Sequence, residues 1–327
     1  MTDAPDTRLE ELGWDERWVD VWHREGNELQ PGRVMSEQRR GVCVMTRQGA
    51  VDASIPGRFF HASKSRTGRE RAERPIVGDW VLLDQNQAVQ QVLPRRSLLS
   101  RKVSGEREQE QPLASNIDAV WIMMALDADF NLARLDRYLS LVAVSGAEEL
   151  VLLSKADLAP DADRKLALAQ RRHPSVQHLL ISIPQDTGLE RLESHLRPGR
   201  TIALIGSSGV GKSTLVNRLS GAHVMRTGRT RSVDGRGRHT TTHRQMHLLP
   251  GGGLVIDSPG MRELGLWEGA AGVEHAFADL EQLALGCRFR DCRHETEPGC
   301  ALRSALAEKQ LDAERFRSWL KLKKESQ

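Results

Sequence analysis

The sequence predicts a multidomain chain: a small all-β barrel, an α/β domain built on a largely parallel sheet, and a small α-helical module around a Cys/His cluster. Three observations predict it. Short β-like runs punctuated by glycine and proline fill residues 33–104. From about residue 115, apolar strands alternate with helical stretches. Cysteine and histidine are concentrated in residues 287–300. At 327 residues the chain has room for two or three such units.

Residues 1–32 read as a helical extension. Trp14, Trp18 and Trp22 recur at helical spacing and place three indoles on one face. Packing against the body of the protein is the favoured reading, and an RNA-stacking surface is the other. The barrel follows, with strands expected over 41–46, 50–55, 79–83 and 88–93 and turns at Gly49, Pro56-Gly57 and Gly78-Asp79. An OB-fold and an SH3-like barrel both satisfy this pattern.

Residues 105–268 form the α/β unit. Strands are expected over 119–126, 149–153, 178–183 and 201–205, with helices near 132–145, 161–172 and 187–196. Two more strands flank the turn Pro250-Gly-Gly-Gly253. Between the strand Thr201-Ile-Ala-Leu-Ile205 and a helix beginning at Ser213 lies Gly206-Ser207-Ser208-Gly209-Val210-Gly211-Lys212-Ser213. It fits the phosphate-loop pattern G-x-x-x-x-G-K-[ST] without mismatch. Its glycines let successive N–H groups turn inward on phosphates, assisted by the helix N-terminus. Lys212 would reach the β- and γ-phosphates, Ser213 would ligate Mg²⁺, and Thr214 completes the nucleotide-contacting run.

Two further motifs accompany the loop. Ser154-Lys155-Ala156-Asp157 follows the apolar strand Leu150-Val-Leu-Leu153. The Asp157 carboxylate can accept from both guanine edge donors, a pair that adenine lacks, and Lys155 would lay its stem across the ring. Ser154 stands where such motifs usually carry Asn. Asp257-Ser-Pro-Gly260 also ends a strand; Asp257 would hold Mg²⁺ through water and the Gly260 N–H would meet the γ-phosphate. Between loop and turn, Thr241 is the favoured Mg²⁺ ligand of a first switch. In ordinary guanine-nucleotide domains the base-reading motif comes last. Here it comes first, so the domain is circularly permuted. Met261 occupies the place where self-sufficient GTPases carry a water-orienting Gln, so intrinsic hydrolysis should be slow. His239 or His243, or a partner, would have to supply that function. A P-loop ATPase, with residues 154–157 a coincidence, is the competing reading that ATP competition would test.

The last 59 residues, 269–327, contain a predicted helix over 273–285, the cluster Cys287-x4-Cys292-x-His294-x5-Cys300, and a charged helix over 302–324. Three thiolates and an imidazole suit one tetrahedral, structural Zn²⁺. The fourth cysteine, Cys43, is remote in sequence.

Net charge is only +3, but basic residues cluster over 58–74, over 212–244 and near the C-terminus, as expected of an RNA partner. The N-terminus has no leader-like pattern and apolar runs are too short to span a bilayer, giving the expectation of a cytoplasmic protein without membrane contact. A monomer is the simplest assembly.

The permuted order resembles the ribosome small-subunit-dependent GTPase A (RsgA/YjeQ) family. So do Gly-Arg-His-Thr-Thr-Thr (237–242), Asp-Ser-Pro-Gly-Met-Arg-Glu (257–263) and the fourteen-residue Cys/His segment (287–300). The resemblance covers roughly residues 32–325. It implies an OB-fold, a permuted GTPase domain, and a zinc-binding C-terminal domain. It also implies GTP hydrolysis to GDP stimulated by the 30S subunit and a late role in that subunit's maturation, with 16S rRNA as partner. Ser154 and the extension containing Leu12-Gly-Trp14 depart from the family pattern. A nucleotide-gated RNA-binding module with incidental hydrolysis is the alternative function.

Overall fold

In the computed structural model, the described residues are 7–26, 28–38, 41–60, 74–103, 109–221, 244–257 and 270–325. Helices α1 (Thr7–Glu10) and α2 (Glu16–Gly26) open the chain. Their apolar residues Leu9, Leu12, Trp14 and Trp18 are buried, and Trp14 meets Trp80 edge-on at 4.7 Å. Trp22 is half-buried, and its indole N–H donates to the Leu29 carbonyl at 2.9 Å. The tryptophan face is therefore packing surface.

Five strands follow: β1 (Gln30–Gln38), β2 (Gly41–Thr46), β3 (Gly49–Ser54), β4 (Trp80–Leu83) and β5 (Val89–Val92). β1 pairs antiparallel with β2 and β4, β2 with β3, and β4 with β5. A parallel bridge between Ser54 and Ala88 closes the circuit as β1-β2-β3-β5-β4-β1. This is the five-stranded closure of an OB-fold, and it decides between the two barrels the sequence allowed. Val34, Val42, Val44, Val81, Leu83 and Val89 fill its interior. β1 was not anticipated. Its Pro31-Gly32 start and polar content hide it, and partners on both sides hold it extended. The Arg58 guanidinium lies over the Phe59 ring and donates to the Val89 and Gln90 carbonyls.

The hairpin β6 (Leu98–Val103) and β7 (Gln109–Ser115) spans the boundary expected at 104/105. The α/β unit then runs β8 (Ala119–Ala125), α3 (Leu132–Ala143), β9 (Glu148–Ser154), α4 (Ala162–Arg172), β10 (Gln177–Leu180), α5 (Glu190–Glu193), β11 (Thr201–Gly206), α6 (Lys212–Ser220), β12 (Gln245–Leu248) and β13 (Leu254–Asp257). The helix expected over 187–196 is reduced to the single turn α5. Sheet order is β10-β9-β8-β11-β13-β12, parallel except for β12, and β12 continues into the barrel through Ser36 opposite Gln245. β8 is apolar and buried along its whole length, as a strand covered on both faces must be. Val120, Ile122 and Met124 face α3 and α4, while Trp121, Met123 and Ala125 face α5 and α6. Asn131 caps α3, its side chain accepting from the Arg134 N–H at 3.0 Å.

The C-terminal module comprises α7 (Ala270–Ala276), α8 (Ala278–Ala284), α9 (Ala301–Ala307) and α10 (Ala313–Glu325). Two helices expected to be continuous are therefore broken. Phe277 leaves the helical conformation to bury its ring beneath the Arg315 guanidinium, 5.0 Å from the ring centre. Lys309 takes a left-handed φ of 59°, and Asp312 starts α10 by accepting from the Arg315 N–H at 2.7 Å. Among the described residues, no helix is long and apolar enough to cross a membrane.

Candidate functional site

The C-terminal ends of β8, β9, β11 and β13 share one edge of the sheet. Connections leave β8 towards β9 on one side and reach β11 on the other, which makes this edge the topological switch point. β11 enters its loop at Gly206, beside Met123 of β8. A Cβ at Gly206 would lie 2.2 Å from the Met123 carbonyl oxygen, and its φ is 140°, so only glycine fits. Gly209 and Gly211 also take positive φ, and Gly211 immediately precedes α6. The loop thus wraps ahead of a helix N-terminus, a shape suited to phosphate.

Lys212 is buried, and its ammonium donates to the carbonyls of Gly206 and Ser207, each at 2.6 Å. Ser213 is half-buried in the first turn of α6, while Ser208 and Thr214 are exposed. Asp257 ends β13 one residue beyond the Ile256–Ala203 pair, placing its backbone on the same edge. Thr241, His239, His243, Gly260 and Met261 lie outside the described residues.

The segment Ser154-Lys155-Ala156-Asp157 begins where β9 ends. Ser154 is buried, and its hydroxyl donates to the Val210 carbonyl at 2.7 Å. Lys155 turns the chain with φ of 59°, and its ammonium pairs with Asp127 at 2.8 Å. Ala156 donates its N–H to the Ile181 carbonyl, and the Asp157 carboxylate accepts from the Ser182 hydroxyl at 2.7 Å. The Lys155 ammonium and the Asp129 N–H hold the Asp127 carboxyl below its ordinary value. The end of β9 is thus joined directly to the phosphate loop through Ser154.

Asp127, Asp129 and Ser182 were not singled out from sequence. Each follows a buried strand closely, so the rule that located Asp157 and Asp257 could have found them.

The second candidate site is a metal centre. The donor atoms of Cys287, Cys292, His294 and Cys300 all lie within 4.8 Å of one another. His294 Nδ1 is 3.5 Å from Cys287 Sγ and 3.4 Å from Cys300 Sγ, and those sulfurs are 3.9 Å apart. A tetrahedral ion with the usual Zn–S and Zn–N bonds requires edges of about 3.8 Å and about 3.6 Å. The cluster has the donor set and the spacing to hold a metal ion. The His294 ring rests on Trp319 at 5.2 Å, and the Trp319 indole donates to Glu281 at 2.8 Å, anchoring the cluster to α10 and α8.

A parallel sheet with a glycine-rich P-loop at its switch point, preceded in the chain by the strand end that carries Ser154-Lys155-Ala156-Asp157, defines a circularly permuted P-loop GTPase. The comparisons with known proteins agree. The family model described as RsgA GTPase matches residues 92–267. A protein of Vibrio parahaemolyticus named small ribosomal subunit biogenesis GTPase RsgA 2 is 44% identical over 298 residues, covering 90% of this chain and 78% of that one. The protein of Opitutus terrae named small ribosomal subunit biogenesis GTPase RsgA is 40% identical, covering 97% and 89%. The crystal structure of YjeQ from Thermotoga maritima superposes with a TM-score of 0.65 at 23% identity, covering 91% and 98%. That of YloQ, a circularly permuted GTPase, gives 0.62 at 20% identity, covering 93% and 97%. These two likenesses are of fold. The chain belongs to the RsgA GTPase family.

Proposed function

We propose that this chain is a cytoplasmic, monomeric GTPase that binds the 30S ribosomal subunit through 16S rRNA during late maturation and hydrolyses GTP to GDP with subunit-stimulated turnover. The observation that carries the reading is the Ser154–Val210 hydrogen bond, which joins the base-reading strand end to the phosphate loop at one sheet edge. The names of its relatives support the ribosomal assignment.

In this reading, residues 206–214 cradle the phosphates, Lys212 meets the β- and γ-phosphates, and Asp157, oriented by Ser182, reads guanine. Ser213, Thr241 and Asp257 hold Mg²⁺, which neutralises charge on the β- and γ-phosphates. Gly260 donates to the γ-phosphate. Met261 can neither accept a proton nor aim water, so His239, His243 or the docked subunit completes the site. Cys287, Cys292, His294 and Cys300 hold one structural Zn²⁺. The working division is an extension (1–32), an OB-fold (33–104), the permuted GTPase domain (105–268) and the zinc module (269–327).

GTP hydrolysis measured with purified 30S subunits, 50S subunits and no subunits tests this. Stimulation by 30S alone is expected. Equal rates in all three would withdraw the ribosomal role and favour a nucleotide-gated RNA-binding module.

A further inference from the structure

The loop between β8 and α3 carries two carboxylates that none of the nucleotide motifs includes. Asp127 Oδ2 lies 2.8 Å from the Lys155 ammonium. Two residues on, Asp129 Oδ2 accepts from the hydroxyl of Ser207, the first residue after β11, at 3.1 Å. One short turn fixes the spacing between them. Asp127 Oδ1 accepts from the Asp129 N–H at 2.8 Å, and the Asp127 carbonyl accepts from the Phe130 N–H at 3.1 Å. Helix α3 braces the far end. Arg134 pairs with Asp129 Oδ1 at 2.7 Å.

We propose that Asp127 and Asp129 are positioning residues of the nucleotide site, one acting at its base end through Lys155 and the other at its phosphate end through Ser207. The proposal rests on the reading of Lys155 and residues 206–213 as nucleotide-binding. Carboxylates beside a polyphosphate normally repel it. Here each is matched by a cation, Lys155 for Asp127 and Arg134 for Asp129, so the pair can orient without adding net negative charge. A lysine stem is rich in rotamers, and tethering its ammonium removes disorder that binding would otherwise have to overcome. Anchoring Ser207 does the same for the backbone that must present its N–H groups to phosphate.

The test is competition against fluorescently labelled GDP on the full chain, using GDP, guanosine and pyrophosphate as separate probes of the two ends. The Lys155–Asp127 pair is partly exposed, so its loss is modest. Asp127→Ala should weaken GDP and guanosine alike, by about three- to fivefold, and leave pyrophosphate unchanged. Asp129→Ala should weaken GDP and pyrophosphate by about tenfold and leave guanosine unchanged. Asp127→Ala combined with Lys155→Ala should bind GDP no more weakly than Lys155→Ala alone, because the carboxylate acts only through that lysine. Wild-type affinity in both single variants, or an equal loss for all three probes, overturns the positioning roles. Failure of the wild-type protein to bind GDP would instead remove the underlying reading of the site.

Discussion

The Ser154 hydroxyl and the Val210 carbonyl are both buried and lie 2.7 Å apart, so a strand end and a loop 56 residues away are joined by one hydrogen bond. Ser154→Ala keeps the volume nearly constant but strands a buried carbonyl, at a cost of about 1–3 kcal/mol. The expected result is a lower urea midpoint with an unchanged m-value, together with weaker GDP binding. Unchanged stability and affinity would show that the carbonyl finds another donor.

Asp136 of α3 is completely buried, with Arg172 and His173 on its carboxylate. Arg172 pairs with it at 2.6 Å, and His173 Nε2 lies 2.8 Å away. On the other side of the imidazole, Arg315 of α10 reaches His173 Nδ1 at 3.4 Å, donates to the Arg172 carbonyl and pairs with Asp279 at 2.6 Å. The GTPase domain and the metal module are thereby clamped through one buried network. Burial alone would raise the Asp136 pKa, but the hydrogen bonds and charges of Arg172 and His173 outweigh it and hold the carboxyl at about 2, against an ordinary 3.8. A depressed carboxyl stabilises the fold above pH 3.8, and that contribution, about 2 kcal/mol, is lost as pH falls from 3.8 towards 2. His173 acts in a higher window. Burial lowers its pKa in spite of Asp136, and the charges of Arg315 and Arg172 push it the same way. Stability from the neutral ring is present above 6.5 and declines as pH falls below it. Thermal melting should therefore lose stability first below pH 6.5, and His173→Gln should lessen that decline without removing it, because burial also lowers His178, to about 4. Asp136→Asn leaves the buried Arg172 with only the exposed Asp312, 3.4 Å away, as a charge partner, and should cost about 3 kcal/mol at neutral pH.

At the metal cluster, the chain commits a left-handed residue and two helix ends to bringing four donors together. His294 has φ of 61°, α8 ends shortly before Cys287, and Cys300 immediately precedes α9. Such a constellation gains much of its order from the ion itself. Elemental analysis should find one zinc per chain. Removing it with a chelator at pH 7 should increase tryptic cleavage within residues 286–300 and lower the far-UV helical signal. A metal-free protein with the same melting curve would show that the core around Phe277, Leu302 and Trp319 holds the module alone.

Where chemistry is concentrated in a few neighbouring residues, the sequence was enough. The phosphate loop and the Cys/His spacing carry their geometry locally, and the apolar strands 119–126 and 149–153 announce a buried sheet. What escaped depends on distant partners. β1 shows no alternation, and it is a strand because β2 and β4 pair with it along both edges. The OB closure rests on the single Ser54–Ala88 bridge. The break before α10 was signalled by Asp312, whose capping role was hidden inside a run of helix-forming residues. Asp127 and Asp129 have no motif of their own; their place after a buried strand is legible in the sequence, but the partners they meet are seen only where β8 lies beside β9 and β11.

The Leu12-Gly13-Trp14 segment gives the last prediction. Trp14 packs on Trp80 of the barrel, and the Leu12 carbonyl accepts from the buried Arg33 of β1, which also donates to the Asn116 carbonyl at 2.9 Å. Between them, Gly13 lies against Gly199, in the turn that feeds β11. A Cβ at Gly13 would sit 2.5 Å from the Gly199 carbonyl oxygen, one at Gly199 would sit 3.0 Å from Gly13 Cα, and both residues have positive φ. The extension is therefore a strap laid across both the barrel and the strand that carries the phosphate loop, and the two glycines are what allow the backbones to touch. Gly13→Ala should cost about 2–3 kcal/mol, from left-handed strain and the displaced backbone together. Gly199→Ala should act in the same direction. Gly251, with open space where its Cβ would be, serves as the control, and Gly251→Ala should stay within about 0.5 kcal/mol of wild type. Because Gly13 and Gly199 share one contact, their alanine substitutions should be less than additive in urea unfolding. Full additivity would mean that each glycine answers only to its own backbone conformation and that no strap joins the extension to β11.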